Sequence, residues 1–236
     1  TLELGGKKVL DNINLSIPYG KKVGIVGATG SGKSILLKSI VRINDVNDGQ
    51  IKMNGTNVKE YKTAELREKI SYVFQDAFLF SNTIDSNIAF ANPDVDESRV
   101  RECAKRAMAD DFINELSDGY QTIVGEKGFG LSGGQKQRVS IARAMLKDAP
   151  VFVFDDSTSA LDAETERKFL ENLRKYYKER TILIAAHKMS SVVDCDEIIY
   201  LSNGKIVERG TFDELMELDG HFAGVYKTQM AKQTVA

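Results

Sequence analysis

The sequence predicts an α/β fold, with a mainly parallel sheet core flanked by helices, an antiparallel β subdomain and an inserted helical subdomain. Three observations carry this. Short apolar runs rich in Val, Ile and Phe alternate with helical segments at both ends of the chain, as in strand–helix–strand units whose sheet is covered on both faces. Residues 83–147 break that alternation and read as mainly helical. Two Asn-Gly pairs, at Asn54 and Asn203, sit between strand-like runs where hairpins turn.

Taken in order, residues 9–17 alternate loosely and read as a strand, punctuated by Pro18 and Gly20. Residues 21–26 form a second, buried strand, followed by a glycine-rich loop and a helix to about Arg42. The stretch GQIKMNGTNV turns at Asn54-Gly55; TAELREKI is helical; SYVF is a strand leading to Gln75. Helices follow at 96–107, 110–116 and 133–146, the last opened by Ser-Gly-Gly. Then the alternation returns, with a strand at 151–154, a helix at 163–177 and a strand at 181–185. Residues 197–201 and 205–208 make a hairpin; 211–218 and the tail after His221 are helical.

Composition narrows the class of function. With 42% hydrophobic and 28% charged residues, wholesale disorder is not expected. A net charge of −2 lacks the basic excess of a nucleic-acid binder, so no nucleic acid is expected as a partner. No apolar stretch approaches the roughly 20 residues of a membrane-spanning helix. The chain opens on TLELGGKKVL, without methionine and in what reads as the middle of a strand, and is expected to be part of something longer. Cys103 and Cys195 lack metal-ligand spacing and read as reduced, packing cysteines.

The chemistry begins at GATGSGKS, residues 27–34, which has the spacing G-x-x-x-x-G-K-[ST] between a strand and a helix. Gly27, Ala28, Thr29, Gly30, Ser31 and Gly32 would curl backbone N–H groups around phosphate oxygens, helped by the positive end of the helix. Lys33 would reach the terminal phosphates and Ser34 would give its hydroxyl to Mg²⁺. In VFVFDDSTSALD, an apolar strand ends in Asp155 and Asp156. A carboxylate is expensive to bury without a positive partner. At a second strand end in a phosphate-loop protein, that partner is the metal, held by Asp155. These motifs predict a P-loop NTPase fold, with residues 1–82 and 148–236 expected as the sheet core and 83–147 as the helical insertion.

LSGGQ, residues 131–135, followed by KQRVSIARAM, then VFVFDD and SALD, resembles the nucleotide-binding domain of an ABC transporter, over essentially the whole chain. The resemblance implies ATP and Mg²⁺ as ligands and hydrolysis of ATP as the activity. It also implies head-to-tail pairing, in which each nucleotide lies between the phosphate loop of one domain and the signature of another. Leu131, Ser132, Gly133, Gly134 and Gln135 would then serve the partner's nucleotide, and Asp162 would lie on the loop that crosses to it. The local chemistry agrees, because a Ser-Gly-Gly helix start offers hydroxyl and N–H groups to an anion. Gln75 matches the residue that contacts Mg²⁺ and the attacking water, and His187 the one that contacts the γ-phosphate. His221 matches nothing and reads as solvated. LFSNTIDSNIAF and TIVGEKG look like the exporter branch, where Glu126 would lie near the membrane domain. The implied setting is the cytoplasmic face of a cell membrane, beside transmembrane domains that lie outside this chain.

Two positions depart from the family pattern. Most members carry glutamate after the metal aspartate, and here Asp156 has the same charge with one methylene less reach. A misplacement of about 1 Å can cost roughly a hundredfold in rate, so hydrolysis at this chain's own site is expected to be slow. An aromatic residue that stacks on adenine is replaced by Leu4, which loses a stacking term of roughly 1–3 kcal/mol. With the signature intact, this pattern looks like the degenerate half of an asymmetric exporter, whose partner would be a different subunit, though pairing with a second copy of the chain stays open. Two other readings stay open on the sequence: a non-transporter ABC ATPase, and a regulatory nucleotide-binding subunit that does not hydrolyse.

Overall fold

The computed structural model describes residues 1–234 apart from 126, 127 and 129. In chain order the strands are β1 (Leu2–Leu4), β2 (Lys7–Leu10), β3 (Lys22–Val26), β4 (Lys52–Met53), β5 (Thr56–Asn57), β6 (Ile70–Val73), β7 (Asn82–Thr83), β8 (Ile123–Val124), β9 (Val151–Asp155), β10 (Thr181–Ala185), β11 (Glu197–Ser202) and β12 (Lys205–Gly210). The helices are α1 (Lys33–Ile40), α2 (Thr63–Glu68), α3 (Ile84–Ile88), α4 (Glu97–Arg106), α5 (Asp110–Glu115), α6 (Gly133–Lys147), α7 (Ala163–Tyr176), α8 (Phe212–Leu218) and α9 (His221–Thr234). Two compact units divide the chain, one of Thr1–Ile70 with Thr181–Ala236, the other of Ser71–Arg180.

The first unit is built on strands in the order β12-β11-β3-β10. β3 runs parallel to both β10 and β11, and β12 closes the hairpin antiparallel to β11. Strands β3 (KVGIV) and β10 (TILIA) are rich in Val, Ile and Leu and buried almost throughout, as parallel strands covered on both faces must be. The Asn54-Gly55 turn joins β4 to β5, with φ of 51° and 82°, the left-handed pair that a two-residue hairpin requires.

The second unit packs the helices α3 to α7 with neighbouring strands β6 and β9. Phe152 and Phe154 of β9 are buried, and Phe169 of α7 meets the Phe154 ring edge-on at 5.5 Å. Side-chain caps start several helices: Thr83 on α3, Asp96 on α4, Ser132 on α6 and Asp162 on α7.

Most predicted elements are present within a residue or two. The strand expected over 9–17 is not: β2 ends at Leu10. Asn12 sits in the left-handed region at φ 52°, which ends an extended run, and Asp11 N–H donates to Gly204 O at 2.8 Å instead of continuing a ladder. The helical stretch also contains a short antiparallel pair, β7 with β8, that its residues do not announce.

Candidate active site

In the first unit, the phosphate loop leaves β3 at Gly27, whose φ is 148°. A Cβ there would lie 2.1 Å from Leu201 O, and one on Gly32 would come within 3.0 Å of Val9 O, so neither position accepts a side chain without moving backbone. Ala28, Thr29 and Gly30 are exposed. Lys33 is buried, and its Nζ donates to Gly27 O at 2.7 Å and Ala28 O at 3.1 Å, inside the curl of the loop. Ser31 Oγ is buried without a hydrogen-bond partner. Helix α1 starts at Gly32 with no side-chain cap and no acidic residue in its first turn. An orphaned hydroxyl, an uncapped helix start and a lysine at the loop centre fit a polyphosphate.

Leu4 is half-exposed, on β1 opposite Lys7 of β2. His187 follows β10 and is half-buried. His221 is exposed and stacks on Tyr200 with ring centroids 5.7 Å apart.

In the second unit, the two aspartates at the end of β9 are both buried, Asp155 at 1% and Asp156 at 7% exposure. Asp155 Oδ2 accepts from the Tyr72 hydroxyl at 2.9 Å. Burial, then the Asp155 charge, pushes the Tyr72 hydroxyl far above its ordinary pKa, so it remains a donor. Asp156 adopts a left-handed φ of 48°, which a short Asp tolerates better than most residues. Its Oδ2 accepts from Gln75 Nε2 at 3.3 Å. Among the described residues, no three His, Cys, Asp or Glu side chains gather to hold a metal ion. Mg²⁺ does not need such a cage, since it is commonly bound through one or two carboxylates plus substrate phosphates and waters.

Helix α6 opens with a capping box: Gln135 N–H donates to Ser132 Oγ at 3.3 Å, and Ser132 N–H to Gln135 Oε1 at 2.9 Å. Ser132 and Gly133 are exposed and Leu131 is buried beneath them. A Cβ on Gly134 would lie 2.9 Å from Ala160 O, so glycine lets the signature approach the loop that ends at Asp162. Asp162 is exposed, and the Thr165 hydroxyl and N–H hold its carboxyl below the usual carboxylate range. Glu126 lies outside the described residues.

Tyr72 was not legible as a site residue. Its only signal is its place on β6, three residues before Gln75, and its contact with Asp155 spans 83 residues of sequence.

A fold with a phosphate loop, paired aspartates at a strand end and a capped glycine signature defines a P-loop ATPase of ABC type. The sequence profile described as "ABC transporter" matches residues 10–159, and the chain belongs to that family. It is 44% identical over 224 residues to the ATP-dependent lipid A-core flippase of Escherichia coli (strain K12), covering 94% of this chain and 38% of the relative. With ABC transporter B family member 6 of Dictyostelium discoideum it shares 42% identity over 222 residues, covering 94% of this chain and 33% of the relative. The structure of a bacterial Atm1-family ABC exporter with ATP bound superposes with a TM-score of 0.93 at 37% identity, covering 96% of this chain and 40% of that one. The chain thus spans about a third to two-fifths of the length of these relatives. It is an ATP-binding ABC ATPase domain homologous to those of exporters.

Proposed function

We propose that this chain is the ATP-driven motor domain of a membrane exporter, and that its own hydrolytic site is slow. ATP would be gripped by Gly27 to Ser34, with the adenine against Leu4. Mg²⁺ would be shared by Ser34, Asp155 and Gln75, where it neutralises phosphate charge. Asp156 would orient and deprotonate the attacking water, and His187 would contact the γ-phosphate. Leu131 to Gln135, with Asp162, would complete the nucleotide site of a second ABC domain, a different subunit in the reading we favour.

The single observation that carries this is the pairing of Asp156 with Gln75, a buried carboxylate at the strand end held by the amide proposed to reach metal and water. Exposure of Ser132, Gly133 and Asp162 supports a role toward another molecule. An aromatic patch supports transmembrane domains as the further partner: Phe90 is 54% exposed and stacks on Phe80 at 4.3 Å, with Phe78 edge-on to Phe80 at 5.1 Å. Beneath it, Arg143 donates to Phe78 O and Asn87 O, which fixes the patch in place. Among the described residues no helix is long and apolar enough to cross a membrane, so in this reading the spans come from other sequence and the domain works at the cytoplasmic face of the membrane.

Steady-state ATPase of the wild-type chain beside Asp156→Glu, at high protein concentration to favour pairing, tests the reading. Weak wild-type turnover and a strong gain in the variant support a built-in brake and a partner carrying its own glutamate. Equal, substantial turnover in both makes Asp156 a competent base and a symmetric homodimer the better assembly. No turnover in either, with ATP still bound, leaves only a nucleotide-sensing role.

A further inference from the structure

Backbone groups just after β10 must find partners, because the strand ladder ends there. Ala186 N–H makes a last bond, to Ile25 O at 3.1 Å. His187 and Lys188 follow, then a single 3₁₀ turn over Met189–Ser191. Two of the groups that flank this turn reach α9 rather than the sheet. Gln229 Oε1 accepts from Met189 N–H at 2.9 Å, and Gln229 Nε2 donates to His187 O at 2.8 Å. One carboxamide thus bridges the two peptide groups that directly follow His187, on either side of Lys188, from 42 residues downstream. Its orientation is set by the partners: exchanging oxygen and nitrogen would face acceptor to carbonyl and donor to N–H.

Helix α9 is itself anchored. Both carboxylate oxygens of buried Glu208 accept N–H groups at its start, from His221 and Phe222. The Phe222 ring is buried and packs edge-on to Phe212 and flat against Tyr226. A helix fixed at its first turn presents Gln229 two turns later as a rigid support.

We infer that Gln229 is a positioning residue for His187, acting on the histidine through its backbone. The inference rests on the reading that His187 contacts the terminal phosphate. Without the clamp, the two peptide groups after His187 lose both bonds, and the backbone that carries the imidazole is no longer held in a single conformation. A glutamate at 229 could still accept from Met189 but would set a carboxylate against the His187 carbonyl. Leucine would make neither bond.

The chain contains two histidines, so its imidazole NMR spectrum is simple, and His221→Asn assigns the His187 resonance. In the wild type, ATP with Mg²⁺ is expected to shift that resonance. In Gln229→Leu the shift is expected to be largely lost, kcat to fall by about tenfold to a hundredfold, and KM for ATP to change less than about twofold. Gln229→Glu should fall between, and serves if the leucine variant does not fold. In a His187→Ala background, Gln229→Leu should lower kcat no further. A folded Gln229→Leu that keeps the full shift and kcat overturns the inference, as does an additive loss with His187→Ala. If His187→Ala alone leaves kcat unchanged, the role of His187 fails and the inference falls with it.

Discussion

The carboxamide of Gln75 donates to Oδ2 of Asp156 at 3.3 Å, joining two residues 81 positions apart in sequence. The bond is long and involves a side chain from an exposed position, so it restrains Asp156 without locking it. It predicts that the two residues act as a unit.

Turnover gained by Asp156→Glu should therefore depend on Gln75. We expect the glutamate variant to hydrolyse ATP about tenfold to a hundredfold faster than wild type, and Gln75→Ala to remove most of that gain. A double-mutant cycle on kcat should give a coupling of about 0.5–3 kcal/mol. Additive effects would separate the residues. Since Asp156 sits at a left-handed φ of 48°, the glutamate variant should also melt slightly earlier.

If adenine lies against Leu4, as proposed, the leucine offers it an apolar surface in place of an aromatic stack. Leu4→Tyr is expected to tighten ATP binding by about 1–3 kcal/mol, and to leave inorganic triphosphate binding unchanged. Calorimetric titration with both ligands distinguishes a base contact from a general effect on the loop.

The Tyr72 hydroxyl donates to Asp155 Oδ2 at 2.9 Å. Tyr72→Phe keeps the ring, which lies 4.3 Å from that of Phe74, and removes only the donor. Loss of an outer partner of a metal-binding carboxylate typically costs about tenfold to a hundredfold in metal affinity. Electron paramagnetic resonance titration of Mn²⁺ in the presence of ATP reads this directly, and unchanged Mn²⁺ affinity would assign Tyr72 to packing alone.

Asp162 caps α7 through Thr165, with its carboxyl held below the usual range. A group whose folded pKa is depressed adds stability above its unfolded pKa, near 4, and loses it as pH falls through the folded value. Asp162→Ala should thus lower the melting temperature at pH 7, with the gap to wild type closing below about pH 4. Asp162→Asn keeps a capping oxygen and should stay closer to wild type. If the asparagine variant is stable yet pairs poorly with a second ABC domain, the charge serves the partner rather than the helix.

Much of this protein could be read without coordinates. Residues 27–34, the VFVFDD strand and LSGGQ are local patterns, and local patterns follow from neighbours along the chain: a glycine where backbone must curl, a Ser-x-x-Gln box where a helix must start, apolar runs where a strand is covered. That is enough to predict a phosphate loop and paired carboxylates, and the resemblance those patterns carry adds ATP as the ligand. Tertiary structure decided what no spacing encodes. Asn12 ends β2 early by turning left-handed toward Gly204. Tyr72 meets Asp155, Gln75 meets Asp156, and Gln229 closes on His187, each across at least 42 positions. Such contacts arise when packed strands and helices leave a buried or half-buried polar group to be satisfied. The partner is whichever side chain the fold brings within hydrogen-bond reach, and only three-dimensional packing determines that.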